Sequence, residues 1–107
     1  MDIAAGHNLQ RYERQIMIEG FGNEGQECLK KANVSVAGAG GLGAIISLYL
    51  AAAGVGRIRL IDHDKVELGN LNRQILYWDT DIGKEKVYLA KERLESLNPE
   101  VKVEAVR

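Results

Sequence analysis

Between Ala32 and Val55 the chain carries no charged residue, and four glycines fall in the middle of that run, in G-A-G-G-L-G at Gly38–Gly43. A membrane span needs about 20 unbroken apolar residues in one helix. The glycines break this run, and polar Asn33 and Ser35 stand at its start. It reads instead as a strand at Val34–Ala37, a glycine turn, and a helix over Leu42–Ala53 stopped by Gly54. That helix is apolar nearly all round (Leu42, Ile45, Ile46, Leu48, Tyr49, Leu50), which predicts burial against a sheet.

The flanking segments complete the unit. Residues 1–8 read as frayed. Arg11–Gly20 places Tyr12, Ile16 and Glu19 at helical spacing, and Glu24–Lys31 is a second short helix with Leu29 inward. Arg57–Asp62 is the second strand, and Asp64–Thr80 has no sustained period and reads as a functional loop. Asp81 is positioned to cap a helix over Lys84–Leu97, whose inner face is Val87, Ala90, Leu94 and Leu97. Asn98-Pro99 stops it, and Val101–Val106 alternates as a third strand. The fold class is α/β: one half of a Rossmann-like doubly wound parallel sheet (β-α-β-α-β), preceded by two short N-terminal helices. Residues 1–32 form a helical arm and 33–107 the nucleotide-binding half of a single partial domain. The first strand is left as an open edge, which a missing segment or another chain would cover.

Composition narrows the function classes. Net charge is −1, with four basic and five acidic side chains in residues 1–53 and ten of each in 54–107. No basic stripe is visible, so a nucleic-acid partner is not expected. The single cysteine, Cys28, rules out an intrachain disulfide and a multi-cysteine zinc site, and it reads as a small packing residue. His7 and His63 read as surface residues. With no membrane span and no basic-then-apolar N-terminus, a cytoplasmic location is expected.

Three signals in Gly38–Gln74 point to phosphate chemistry. In the glycine turn, Gly38 permits the tight turn, Gly40 lets a phosphate approach the backbone, and Gly43 lets the helix lie close to the strand. Asp62 arrives about 20 residues later, where a Rossmann unit meets a ribose. Asp64 assists it, holds a magnesium ion, or is simply solvated. Arg73, in N-L-N-R-Q at Asn70–Gln74, and Lys86, in the first turn of its helix, supply cations. A cation there is unfavourable by the helix dipole unless an anion is bound nearby. Cations at this site suit phosphoryl or nucleotidyl transfer better than hydride transfer.

Taken together, the strings resemble the ThiF/MoeB/HesA family, relatives of ubiquitin-activating enzymes. They are R-Y-E-R-Q at Arg11–Gln15, G-Q-E-C-L at Gly25–Leu29, G-A-G-G-L-G at Gly38–Gly43 and Y-L-A-A-A-G-V-G at Tyr49–Gly56. D-H-D-K-V at Asp62–Val66, N-L-N-R-Q at Asn70–Gln74 and D-I-G-K-E-K-V at Asp81–Val87 complete them. The resemblance implies an adenylyltransferase that binds ATP and Mg2+. The terminal carboxylate of a ubiquitin-like sulfur-carrier protein would attack the α-phosphate, pyrophosphate would leave, and an acyl-adenylate would remain. It also implies roles by position: Gly41 on the nucleotide, Asp62 on the ribose, and Asn70, Arg73 and Lys86 on the phosphates. Arg14 would reach the triphosphate of the neighbouring subunit in a homodimer. Family members are longer than this chain, and the usual magnesium ligand, the carrier-binding sheet and any zinc-binding cysteines would lie beyond residue 107. Two other readings stay open: a non-catalytic nucleotide-binding or dimerisation module, and a fragment of an NAD-dependent dehydrogenase.

Overall fold

The structure, a computed structural model, describes residues 10–107. The expectation for residues 1–8, and His7, lie outside the described residues. Two short helices, α1 (Glu13–Ile16) and α2 (Gly22–Lys31), lead into β1 (Asn33–Ala37), α3 (Gly41–Ala53) and β2 (Arg57–Ile61). A long connection with two 3-10 turns, Leu68–Asn70 and Asp79–Asp81, precedes α4 (Lys86–Leu97) and β3 (Lys102–Val106). The strands are all parallel in the order β1-β2-β3, with Val36 opposite Leu60 and Ile58 opposite Val103. The expected β-α-β-α-β unit is present, and β1 is an edge of the sheet.

Strand alternation decides which side of the sheet is dry. Val36, Ile58, Leu60 and Val103 point into one core with Ala44 and Ala51 of α3 and Val87, Ala90 and Leu94 of α4. Arg57, Arg59, Lys102 and Glu104 point to the opposite face, where Arg59 and Glu104 pair across the ladder at 2.9 Å. Among the described residues the sheet is covered on one face only.

Several local expectations are corrected. The helix α3 is not buried all round: Ala44, Ser47 and Ala51 face the core, while Leu42 is 81% exposed and Tyr49 70%. Small side chains let α3 lie close to the sheet, so its bulky residues face away. Leu97, expected on the inner face of α4, is exposed, because the helix ends at that residue. Cys28 is exposed on α2 rather than packed. Asp81 does not cap α4, which begins at Lys86; it closes a 3-10 turn and is buried in an ion pair with Arg93.

The arm docks through polar groups at the carboxyl end of α3. Gln15 and Gln26 both donate to Ala53 O, at 2.7 and 3.0 Å. Buried Asn98 donates to Ala51 O at 2.8 Å and to the Tyr12 hydroxyl at 2.7 Å. The last carbonyls of a helix lack intrahelical partners, and these side chains supply them. No helix among the described residues is long and apolar enough to cross a membrane.

Candidate functional site

The site forms where β1 and β2 end. Gly38 takes φ 100°, a conformation that favours glycine, and its N–H continues the ladder to Ile61 O at 2.7 Å. A Cβ at Gly43 would lie 1.8 Å from Gly38 O, so α3 starts in contact with the turn that precedes it. Asp62 then fixes the turn from β2: one carboxylate oxygen accepts the Ala39 N–H at 2.6 Å, the other the Asp64 N–H at 2.7 Å. From the other side the buried Tyr77 hydroxyl donates to Ala39 O. Burial raises the Tyr77 phenol above its ordinary value, and the nearby Asp62 charge adds to this, so the hydroxyl keeps its proton.

Between these anchors the loop stays open. Among the described residues the Gly40 N–H forms no hydrogen bond, and a Cβ at Gly41 would meet nothing within 4 Å. The first turn of α3 has no acidic side chain. Free amides at the start of a 13-residue helix form a site for an anion. Beside them lies an open cleft of about 410 Å³ lined by Gly38, Ile61, Asp62, His63, Asp64 and Arg107. His63 and Asp64 are exposed, and each of the three residues Asp62–Asp64 offers one ligand atom, all within 4.8 Å of one another.

Lys86 is the first residue of α4, yet only 4% exposed. Its N–H bonds Asp64 O at 3.0 Å, and its Nζ lies 5.9 Å from the centre of the Tyr77 ring, within cation–π range. It has no carboxylate partner among the described residues. The ring beneath it belongs to the residue that holds the glycine turn.

The other expected phosphate ligands are arranged differently. Arg73 is exposed, and its guanidinium bonds Gly69 O and the Asn72 side chain, each at 3.0 Å, within its own loop. Asn70 accepts the Glu67 N–H at 3.0 Å and closes the first 3-10 turn. Arg14 is exposed on α1. The contacts thus link the glycine turn to Asp62 and Tyr77, and Tyr77 to Lys86, while the hydrogen bonds of Arg73 and Asn70 lie within their own loop.

Two residues at the site carried no role in the sequence reading. Gln74 is buried against Gly40, with its Nε2 3.5 Å from where a Cβ would stand and its Oε1 unpartnered. Tyr77 is the other. The Tyr77 N–H bonds Gln74 O at 3.1 Å, so one turn of chain delivers both side chains. Neither has a periodicity or charge signal; only their spacing in N-L-N-R-Q-I-L-Y hints at it.

The model of the ThiF family matches residues 12–107. A sulfur carrier protein adenylyltransferase from Thermus thermophilus is 53% identical over 97 residues, covering 91% of this chain and 36% of the relative. The vegetative protein HesA of Trichormus variabilis is 53% identical over 98 residues, 92% of this chain and 37% of that one. Among solved structures, the Escherichia coli tRNA N6-threonylcarbamoyladenosine dehydratase TcdA in complex with ATP superposes with a TM-score of 0.86 at 32% identity. That match covers 99% of this chain and 42% of the other. The chain thus spans well under half the length of these relatives.

Proposed function

The chain belongs to the ThiF family, and from that premise we propose that it forms the ATP-binding part of an adenylyltransferase that activates the C-terminal carboxylate of a ubiquitin-like sulfur-carrier protein. The observation that carries this reading is Lys86, a mostly buried lysine with no carboxylate partner among the described residues, linked through the Tyr77 ring to a glycine turn whose Gly40 amide is open. A cation at a mostly buried position favours an anion beside it, and the phosphates of a nucleotide would supply one.

In this reading the free amides of Gly40 and Gly41 and the α3 dipole receive the phosphates, and Lys86 neutralises charge as it develops. Asp62, with both oxygens already oriented by backbone amides, keeps lone pairs for the ribose hydroxyls. The carrier carboxylate forms a bond to the α-phosphorus while the bond to the β-phosphate oxygen breaks, giving acyl-adenylate and pyrophosphate. Arg73 is exposed and, among the described residues, bonded to groups of its own loop, which a phosphate would replace. A magnesium ion would find Asp64 as its carboxylate within these residues, and would supply charge neutralisation on the phosphates. Arg14, exposed on the docked arm, would act on a second copy of the chain. A cytoplasmic location belongs to the same reading.

The carrier substrate is favoured over RNA by composition as well as by identity. The relative named for tRNA is 32% identical, the one named for a sulfur carrier 53%, and this chain has a net charge of −1. A second reading, nucleotide binding without turnover, uses the same glycine turn and Asp62. Titration with ATP, AMP and NAD tests the site, and preference for NAD would overturn it. Pyrophosphate–ATP exchange in the presence of small carrier proteins separates turnover from binding. Binding without exchange, in a chain extended to the length of its relatives, would favour the second reading.

A further inference from the structure

Tyr77 makes two contacts that the reaction as outlined does not use. Its hydroxyl donates to Ala39 O inside the glycine turn, and its ring lies under the Lys86 ammonium at 5.9 Å. Ala39 is fully buried and gripped at both ends: Asp62 takes its N–H at 2.6 Å and Tyr77 its carbonyl. The peptide that joins Ala39 to Gly40 is planar and trans, so its C=O and N–H point in opposite directions. Pinning Ala39 O toward Tyr77 therefore turns the Gly40 N–H away from Tyr77. That amide forms no hydrogen bond among the described residues. Gly40 has no Cβ and a φ of −90°, and of the two contacts on Ala39 it is the Tyr77 hydrogen bond that lies on this peptide and opposes its rotation.

We propose that Tyr77 is a positioning residue that, by holding Ala39 O, sets the direction in which the Gly40 amide is offered to a phosphate. The proposal rests on the nucleotide reading of this site. Tyr77 touches no reacting atom. Removing its hydroxyl frees the peptide to rotate, while the ring that carries Lys86 remains. Loss of one buried hydrogen bond of this kind corresponds to roughly tenfold in affinity.

The test is Tyr77→Phe, read by calorimetric ATP titration and by the Gly40 cross-peak in 15N–1H spectra at saturating ATP. In the wild type the Gly40 amide is expected to move downfield on binding. In Y77F, ATP is expected to bind about tenfold more weakly, and the Gly40 shift to shrink even when the site is full. A merely structural tyrosine would lower the melting temperature but leave the saturated Gly40 shift unchanged, and that result overturns the proposal. Unchanged ATP affinity with an unchanged shift does the same while leaving the nucleotide reading intact. Should Y77F not fold, the wild-type spectrum decides alone, and a Gly40 peak indifferent to ATP refutes the assignment. A wild-type chain that binds no ATP removes both this proposal and the reading beneath it.

Discussion

At the scale of single residues, the site is governed by close approach and by unpaired polar groups. Gly43 tolerates no side chain, because a Cβ there would sit 1.8 Å from backbone oxygen that cannot move aside cheaply. Gly43→Ala is expected to destabilise the fold by about 1–3 kcal/mol, as other overpacked sites do, and to abolish ATP binding; chemical unfolding and calorimetry check this. Lys86→Met is expected to leave the fold intact, since the lysine has no carboxylate partner among the described residues, while nucleotide affinity falls sharply. A loss of stability in that variant would point to a structural lysine. Arg73→Ala in the complete enzyme is expected to cost about 2–4 kcal/mol of transition-state stabilisation, the range for a fixed donor on developing charge. An exchange rate indifferent to that change would take Arg73 out of the site.

At the scale of elements, the long connection between β2 and α4 is anchored to α4 by a buried ion pair. Arg93 on α4 donates twice to buried Asp81, stacks 3.7 Å over the Trp78 ring, and donates to Leu76 O at 2.8 Å. These contacts fix the segment that carries Gln74 and Tyr77. Truncating either partner of a buried pair strands the other, so Arg93→Ala is expected to cost about 3–5 kcal/mol in urea unfolding. The hydrogen bonds from Arg93 hold the Asp81 carboxyl below its ordinary range, against the opposing effect of burial. A carboxyl depressed in the folded state stabilises above the unfolded value of about 3.9, and that contribution disappears as pH falls through the lower folded value. Unfolding midpoints should therefore drop steeply below about pH 4 in the wild type, and much less steeply in Asp81→Asn. The arm is held by a second polar cluster, Gln15, Gln26, Asn98 and Tyr12, on the last carbonyls of α3.

At the scale of the whole molecule, the sheet and α3 are each dry on one side only. Leu94 is fully buried, and Leu94→Ala is expected to cost about 2–5 kcal/mol. Ile46, on the outward face of α3, is half exposed, and Ile46→Glu is expected to change stability by no more than about 0.5 kcal/mol. Equal costs at the two positions would mean that the outer face of α3 is covered in the molecule as it exists. Among the described residues β1 is an edge of the sheet, where the ladder has room for further strands.

What the amino-acid sequence determined alone was the order β-α-β-α-β, the glycine turn, and the delivery of Asp62 to the end of β2. Each rests on local chemistry: alternation in R-I-R-L-I, glycine spacing, and a proline that ends a helix. Lys86 too was legible, because a cation in a helix's first turn breaks a local rule and asks for an anion. Only the tertiary structure decided that Asp81 pairs with Arg93, that Gln74 and Tyr77 face the turn, and that Arg73 bonds its own loop. It also decided which side of the apolar helix α3 is dry. Those outcomes depend on contacts between segments far apart in the chain, and a pattern of neighbouring residues carries no information about the direction from which a distant partner arrives.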